Sequence, residues 1–176
     1  MRRAARSLVV CGAVLAVAGA AGVVGAPGAG AVGVMGVPVA GAVGPRGGWP
    51  EADLAYHGSA VMADGWMRVR FAAGNHGPDE VPEATVRLRW SVPLADRQEL
   101  PAGCARAGVR AVVCRTGALP ADGPGEPVEL GVRLLGVPSE AVLELDTVWG
   151  GGAVDRNREN DRQRVLVLDT GDTYFF

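Results

Sequence analysis

The sequence of 176 residues contains no lysine and no isoleucine, and all 17 of its basic residues are arginines. The absence of lysine excludes the chemistry that needs this residue, such as a phosphate-loop lysine or a Schiff base. The composition is rich in Ala, Gly, Val and Arg, which is typical of a GC-rich bacterial genome. We therefore give no functional weight to the choice of arginine over lysine.

Few residues suited to catalysis are present. The chain has two histidines, and it has no Gly-x-Ser-x-Gly segment of the kind that exposes a serine nucleophile. His57 and Ser59 are two positions apart on a predicted strand, a spacing that does not give the hydrogen-bonded geometry of a Ser–His pair. We therefore expect a protein that is not an enzyme and uses no cofactor, with a small secreted hydrolase as the least favoured alternative.

Cysteine is also scarce, with three in the whole chain. Cys11 lies in an apolar N-terminal run, and Cys104 and Cys114 flank Gly108, a residue suited to the turn of a hairpin. In an exported protein, a pair this close predicts a structural disulfide, which contributes about 3 kcal/mol in the chain-entropy model. The spacing matches no zinc motif, so a redox or metal role is not favoured.

The N-terminal segment predicts export. Three arginines occur within the first six residues, and an uncharged apolar run extends from residue 8 to about residue 18. The Ala-Gly-Ala motif ending at Ala31 has the small-x-small pattern of a signal peptidase site, and the same motif recurs at Ala20 and Ala42. Residues 1–31 are therefore predicted to be a signal peptide of a secreted protein. The alternative is an uncleaved membrane anchor. It is less favoured because the run is shorter than the roughly 20 residues of a membrane-spanning helix.

The next segment predicts a linker, and the domain follows it. Residues 32–49 are mainly Gly, Ala, Val and Pro and lack periodicity, which indicates a flexible lead-in to a domain at 50–176. Loss of the three leader arginines would move the formal charge from −2 to −5. A mildly acidic protein is a poor candidate for nonspecific nucleic-acid binding. We expect an extracellular protein or a glycan as partner, with membrane contact only through the leader.

Alternation of apolar and polar residues dominates the predicted domain and indicates half-buried β-strands. It places Trp90 in the core, and it places Trp149 on the face of Leu143 and Leu145. Turn residues separate the strands, so the sequence predicts an immunoglobulin-like sandwich of two antiparallel sheets with about seven strands. The runs span residues 65–73, 84–92, 128–135 and 141–149, a weaker one spans 54–62, and 165–168 is apolar on both faces as in a buried strand.

Trp66 shares a predicted strand face with Arg68 and Arg70, and these three residues are the candidate contacts for a ligand or partner. An exposed tryptophan beside arginines can stack on a sugar or anchor a protein. The favoured interpretation is the simpler one, that Trp66 covers a sheet edge. The final residues, Tyr174-Phe175-Phe176, are expected to dock against the sheet as a last short strand, because exposed terminal phenylalanines favour aggregation.

An acidic loop near the C-terminus has oxygen-bearing side chains at alternate positions. Asp155, Asn157, Glu159 and Asp161 form this series, and such oxygens suit a calcium ion. Two required positions of an EF-hand loop hold other residues, however, and four arginines lie nearby. We expect a polar connection whose Asn and Asp side chains bond their own backbone, with calcium as a weak alternative and no other metal.

Short motifs also occur in a recognisable order along the chain. They are Asn75-His76-Gly77-Pro78; Trp90 with Pro93; Leu100-Pro101-Ala102-Gly103-Cys104; Val113-Cys114 with Gly117-Ala118-Leu119; and Asp155-Arg156-Asn157 with Asn160-Asp161. Over about residues 54–170, this order resembles the conserved-repeat domains of unknown function in bacterial cell-surface and secreted proteins. Those domains are similar to CARDB-type and other immunoglobulin-like modules. The resemblance implies a seven-stranded extracellular sandwich that acts as a spacer or adhesion module and has no catalytic residues.

The function expected from the sequence is extracellular binding or a cell-surface structural interaction by a secreted, non-catalytic immunoglobulin-like module. The alternative is a small-molecule carrier that resembles the chromoprotein antibiotic apoproteins, which are exported sandwiches with a short disulfide hairpin. This chain lacks their second disulfide. An apolar cleft between the sheets would favour the carrier, and a filled core with an exposed aromatic patch would favour the binding module.

The predicted leader gives a direct test. We expect the protein recovered from the medium of an expressing bacterium to begin at Val32, because the peptidase site precedes that residue. N-terminal sequencing of the secreted material measures this. An exported protein that still carries Met1 would contradict cleavage.

Overall fold

The computed structural model describes residues 48–176, and these form twelve strands with no helix among them. The predicted signal peptide and all but the last two residues of the predicted linker lie outside the described residues. No helix in the described range is long and apolar enough to cross a membrane. The strands are β1 (Glu51–Ala52), β2 (Leu54–Ala63), β3 (Trp66–Asn75), β4 (Thr85–Trp90), β5 (Cys104–Arg106), β6 (Ala111–Arg115), β7 (Gly123–Pro124), β8 (Val128–Arg133), β9 (Glu140–Trp149), β10 (Val154–Asp155), β11 (Arg162–Leu168) and β12 (Thr173–Phe175).

Ten of the strands form two antiparallel sheets. The front sheet has the order β12-β2-β3, with β8 and β7 both paired to the far side of β3, and the back sheet has the order β11-β9-β4-β6-β5. Strands β1 and β10 form a separate two-residue parallel ladder. The predicted immunoglobulin-like two-sheet sandwich is therefore confirmed. The strand number exceeds seven because strands of two or three residues are too short to show alternation.

The inner faces of the two sheets form one apolar cluster. Alternate residues of β3 contribute Met67, Val69 and Phe71 from the front sheet, all buried. Trp90 of β4 is 1% exposed, and its Nε1 donates to Met67 Sδ at 3.1 Å, which joins the back sheet to the front sheet. The predicted core position of Trp90 is therefore confirmed, and each buried side chain of this size contributes about 1.5–3 kcal/mol.

Trp149 is not in the core, contrary to the alternation. The pairing of β4 with β9 shifts register between Thr85 and Val86, so that Val86 faces Thr147 whereas Thr85 faces Trp149. The extra residue in β9 is a β-bulge, which reverses the sidedness of the strand beyond it. Thr147 still follows the alternation of Leu143 and Leu145 and is buried, whereas Trp149, beyond the bulge, is 50% exposed.

The burial of strand β11 also differs from the prediction, which was that residues 165–168 form a strand buried on both faces. It pairs only with β9 and lies at the edge of the back sheet. Val167 is fully buried, whereas Leu166 and Leu168 are exposed on the outer face. An apolar run on both faces does not distinguish a central strand from an edge strand, because burial of the second face depends on what packs against it.

The cysteine hairpin stands at the opposite edge of the back sheet. Cys104 of β5 lies directly across from Cys114 of β6, and the two form a disulfide, as predicted. Beside it, the guanidinium of Arg106 donates to the carbonyl oxygens of Leu94, Ala95 and Asp96 at 3.1, 2.6 and 2.9 Å. The hairpin therefore also holds the long connection between β4 and β5.

Asn75 organises the loops at one end of the sandwich. Its side chain is fully buried, and its Oδ1 accepts the N–H groups of Asp53 and Gly77 at 3.2 and 2.9 Å. Its Nδ2 donates to the carbonyl oxygens of Asp79 and Pro120 at 2.8 and 3.3 Å. One side chain thus satisfies four backbone groups from three loops, which explains why the turn motif begins with this residue.

Replacement of this side chain tests that role. We expect Asn75→Ala to lower the free energy of unfolding by about 3 kcal/mol, because it leaves several partly buried backbone groups without partners. The adjacent, exposed His76→Ala is the control and is expected to change stability by less than about 0.5 kcal/mol. Denaturant unfolding measures both variants. Equal stability of the two would contradict the role of Asn75.

Candidate ligand-binding face

The candidate contact residues lie together on the outer face of the front sheet. Because Met67, Val69 and Phe71 point into the core, the intervening Trp66, Arg68 and Arg70 point outward. The adjacent strand β8 places a residue directly opposite each of them. The pairs are Trp66 with Arg133, Arg68 with Gly131, and Arg70 with Glu129.

Trp66 is half exposed at the start of β3. Its side chain is 47% exposed, and the guanidinium carbon of Arg133 lies 5.4 Å from its ring centroid. This is a cation–π contact, worth about 0.5–1 kcal/mol at an exposed site. Trp66 therefore lies on the outer face rather than in the core. Arg133 was not among the sequence candidates, because its position beside Trp66 follows from the pairing of β3 with β8.

The two remaining arginines of this face have different partners. Arg70 Nε lies 2.7 Å from Glu129 Oε1 in an exposed ion pair, a contact that contributes at most about 1 kcal/mol. Arg68 forms no ion pair within residues 48–176. Its neighbour Gly131 has no side chain, and a Cβ at that position would meet only Arg68 Cγ, at 4.0 Å. Open space therefore lies beside the Arg68 side chain, whose charge has no ion-pair partner in this range.

Two adjoining clefts follow this face. One has a volume of about 400 Å³ and extends from Ser59 past Arg68 to Glu129, and the other has about 390 Å³ and lies beside Trp66. They share Val61 and Arg68, so they form one open channel along the sheet. We call it the front groove, and its exposed and half-buried residues are Ser59, Val61, Ala63, Asp64, Trp66, Arg68, Arg70, Glu129 and Gly131.

The C-terminal aromatic residues border the same face. Strand β12 pairs with β2, and Tyr174 and Phe176 pack against the core, so the predicted docking of this segment is confirmed for these two residues. Phe175 points the other way and is 79% exposed. It lies opposite Ser59, which lines the front groove. The front face therefore has an exposed aromatic residue at each end.

The outer face of the back sheet has a larger cleft, of about 450 Å³, but its charges are paired. Arg87 makes two hydrogen bonds to Asp146, at 3.0 and 2.7 Å, and these bonds raise the pKa of Arg87. Arg89 and Arg164 both lie against Glu144, at 3.6 and 3.4 Å. This face therefore offers fewer unpaired groups to a ligand than the front groove does.

The acidic loop binds the protein's own polar groups. The carboxylate of Asp155 accepts the N–H groups of Leu54 and Asn157 at 3.0 and 2.9 Å, and Asn160 Nδ2 donates to Asp53 at 2.7 Å. These contacts match the expected polar connection. Within residues 48–176, no group of three or more His, Cys, Asp or Glu residues is arranged to hold a metal ion, and Glu159 is exposed. We therefore propose no calcium function for this loop.

Asp161 is the buried acid of that loop. Its side chain is fully buried beneath Arg158, whose Nε lies 3.0 Å from Oδ2, and Arg162 lies 3.8 Å from Oδ1. Burial raises the pKa of Asp161, which the arginines only partly offset. The nearby Tyr56 hydroxyl is hydrogen-bonded to Thr147, and burial raises the pKa of Tyr56 to about 12. The acid, the tyrosine and the threonine are buried, whereas the side chains of Arg158 and Arg162 are 52% and 66% exposed.

The fold defines an all-β, two-sheet sandwich domain with a disulfide hairpin and open clefts on both outer faces. No family model matches the chain, and no curated protein matches it. A solved structure, β-glucosidase 3B from Thermotoga neapolitana in complex with α-D-glucose, is similar at a TM-score of 0.38 and 13% identity. The match covers 71% of this chain but only 17% of that chain. A likeness this low carries no argument about activity.

The raised pKa of Asp161 predicts a pH effect on stability. An acid whose pKa is higher in the folded state favours folding below its ordinary pKa, and this contribution is lost as the pH rises through the folded-state value. When both proteins are measured between about pH 3 and about pH 8, we expect the unfolding free energy of the wild type, relative to Asp161→Asn, to fall as the pH rises above the ordinary aspartate pKa of about 4. Denaturant unfolding over this range measures it.

Glu159→Gln is the control, because Glu159 lies in the same loop and is exposed. Its stability relative to the wild type is expected to be nearly independent of pH. A relative stability of Asp161→Asn that is flat over the same range would contradict a raised pKa for Asp161.

Proposed function

We propose that the protein is a secreted, non-catalytic binding module that uses the front groove to contact an extracellular partner. The observation that carries this proposal is the unpaired Arg68 beside the half-exposed Trp66 in an open channel. Tryptophan and arginine are the side chains that contribute most often to binding energy at recognition surfaces. Both residues stand on a central strand and need no chain movement to be accessible.

The filled core supports a binding module over a small-molecule carrier. Side chains of both sheets, among them Trp90, Tyr56 and Phe71, occupy the space between the sheets and are almost completely buried. The clefts described above open on the outer faces instead. A carrier that encloses its ligand between the sheets needs an apolar cavity there.

The disulfide supports an extracellular site of action. Disulfides persist in oxidising compartments and are rare in the cytosol of most organisms. Cys104 and Cys114 close the edge hairpin of the back sheet. Together with the predicted leader, this bond fits secretion, and the order of sequence motifs fits the adhesion role implied by the CARDB-type resemblance.

A matched pair of surface variants tests which face binds. Trp66→Ala with Arg68→Ala removes the two main side chains of the front groove. Trp149→Ala with Arg115→Ala removes a comparable pair from the back sheet, where Trp149 is 50% exposed against 47% for Trp66. We expect the fluorescently labelled full chain to bind intact bacteria and their extracellular matrix, and the first double variant to lower the bound fraction about tenfold.

The back-sheet variant is expected to bind like the wild type. Melting curves of both variants confirm that they fold. Unchanged binding by the front-groove variant, or loss of binding only in the back-sheet variant, would overturn the proposal.

A further inference from the structure

We propose that the ligand of the front groove is an acidic polysaccharide, with Trp66 stacked on a sugar ring and Arg68 bound to a sugar carboxylate. This inference rests on the proposed function, and it adds the chemical class of the ligand. Three features of the face carry it: the local charge, the empty space over Gly131 and the aromatic residues at the two ends.

The charge of the front face opposes that of the rest of the domain. Residues 48–176 hold all 19 acidic residues of the chain but only 13 of its 17 arginines. On the front face, Arg68, Arg70 and Arg133 stand on neighbouring positions, and the acidic residues beside them are Glu129 in the cross-strand pairs and Asp64 at the Trp66 end of the groove. Three guanidinium groups therefore face two carboxylates. Like charges at adjacent sheet positions repel each other, and an anionic ligand removes this cost. A neutral ligand would gain nothing from the arrangement.

The space over Gly131 gives that anion a place to bind. Arg68 is opposite Gly131, and no atom other than Arg68 Cγ lies within 4 Å of the position a Cβ would take there. The Arg68 side chain therefore borders a trough on the sheet surface. The planar fork of its guanidinium matches the two oxygens of a carboxylate, which favours a bidentate contact.

The ends of the face suit a polymer of sugar rings. In the strand register, Trp66 and Phe175 are four residues apart along the strands and two strands apart, which places their Cα atoms about 16 Å from each other. This distance accommodates several sugar units in an open channel. Flat aromatic rings present an apolar surface to the C–H faces of such rings.

The distribution of polarity disfavours a protein as the partner. The core of a protein–protein interface is depleted of charge, and its polar groups lie at the rim. Here the order is reversed at Arg68, which is charged and lies between Trp66 and Arg70 on a central strand, whereas Phe175 lies on the edge strand opposite Ser59. An unpaired charge on the central strand, with aromatic side chains at opposite corners of the face, fits a charged carbohydrate chain.

Galacturonic acid oligomers and the same oligomers with methyl-esterified carboxyl groups test the ligand class. The two probes share their rings and differ in charge. We expect the full chain to bind the acidic oligomers at least tenfold more tightly than the esterified ones in calorimetric titration, and added salt to weaken the binding. Arg68→Ala and Trp66→Ala are each expected to lower the affinity about tenfold.

Gly131→Val tests the trough without removing any charged or aromatic group. A β-branched residue suits a strand and has open space at this position, so the variant is expected to fold at least as stably as the wild type. It is expected to lose at least tenfold in affinity for the acidic oligomers, because valine fills the trough. Ala111→Val is the control, because it places a valine on the outer face of the back sheet. We expect this variant to bind the acidic oligomers as tightly as the wild type does.

The outcomes separate the two proposals. Equal binding of acidic and esterified oligomers, or equal binding of poly-glutamate with no effect of Trp66→Ala, would overturn the acidic polysaccharide. If no oligomer binds while the front-groove variant still loses binding to intact bacteria, the ligand class is wrong and a protein partner becomes the better explanation. If neither binding is seen, the proposed function itself fails.

Discussion

The register of the β2–β3 hairpin determines which of its side chains are exposed on the front face and which are buried in the core. Ten consecutive residue pairs join the two strands, from Leu54 with Asn75 to Ala63 with Trp66. The two-residue turn between them consists of Asp64 and Gly65, both with positive φ, which is the geometry that a tight hairpin prefers. Because side chains alternate across a strand, a slip of one residue would bury the arginines and expose the core. Packing of the inner face therefore fixes the binding face as well.

Alternation in the sequence was sufficient for the parts of this face that lie on one strand. It placed Trp66, Arg68 and Arg70 together, and the Asp-Gly turn placed a hairpin before them. It could not place Arg133, Gly131 or Phe175 beside them, because their positions depend on which strands pair and in what register. Cross-strand neighbours of this kind come from distant parts of the chain, and the local pattern does not encode them.

The errors at Trp149 and β11 have the same origin. A bulge opposite Thr85 adds one residue to β9, so the alternation that is valid up to Thr147 is reversed at Trp149. In β11, Leu166 is exposed because it lies on the outer face of the back sheet, and burial of that face depends on what packs against it. Each case concerns the end or the edge of a sheet, where a single-strand pattern no longer defines what covers the residue. The disulfide was predictable because it is local in the chain.

The contrast between the two outer faces shows why one of them is suited to a ligand. On the back sheet, Asp146 and Glu144 hold three guanidinium groups, so a ligand would have to displace existing ion pairs. On the front sheet, Glu129 and the ring of Trp66 hold only the flanking Arg70 and Arg133. Those contacts restrict the flanking side chains before binding, which lowers the entropy that a ligand must overcome. Arg68 stays unpaired between them on a central strand. The groove therefore offers a ligand one available charge between two arginine side chains that are already held in position.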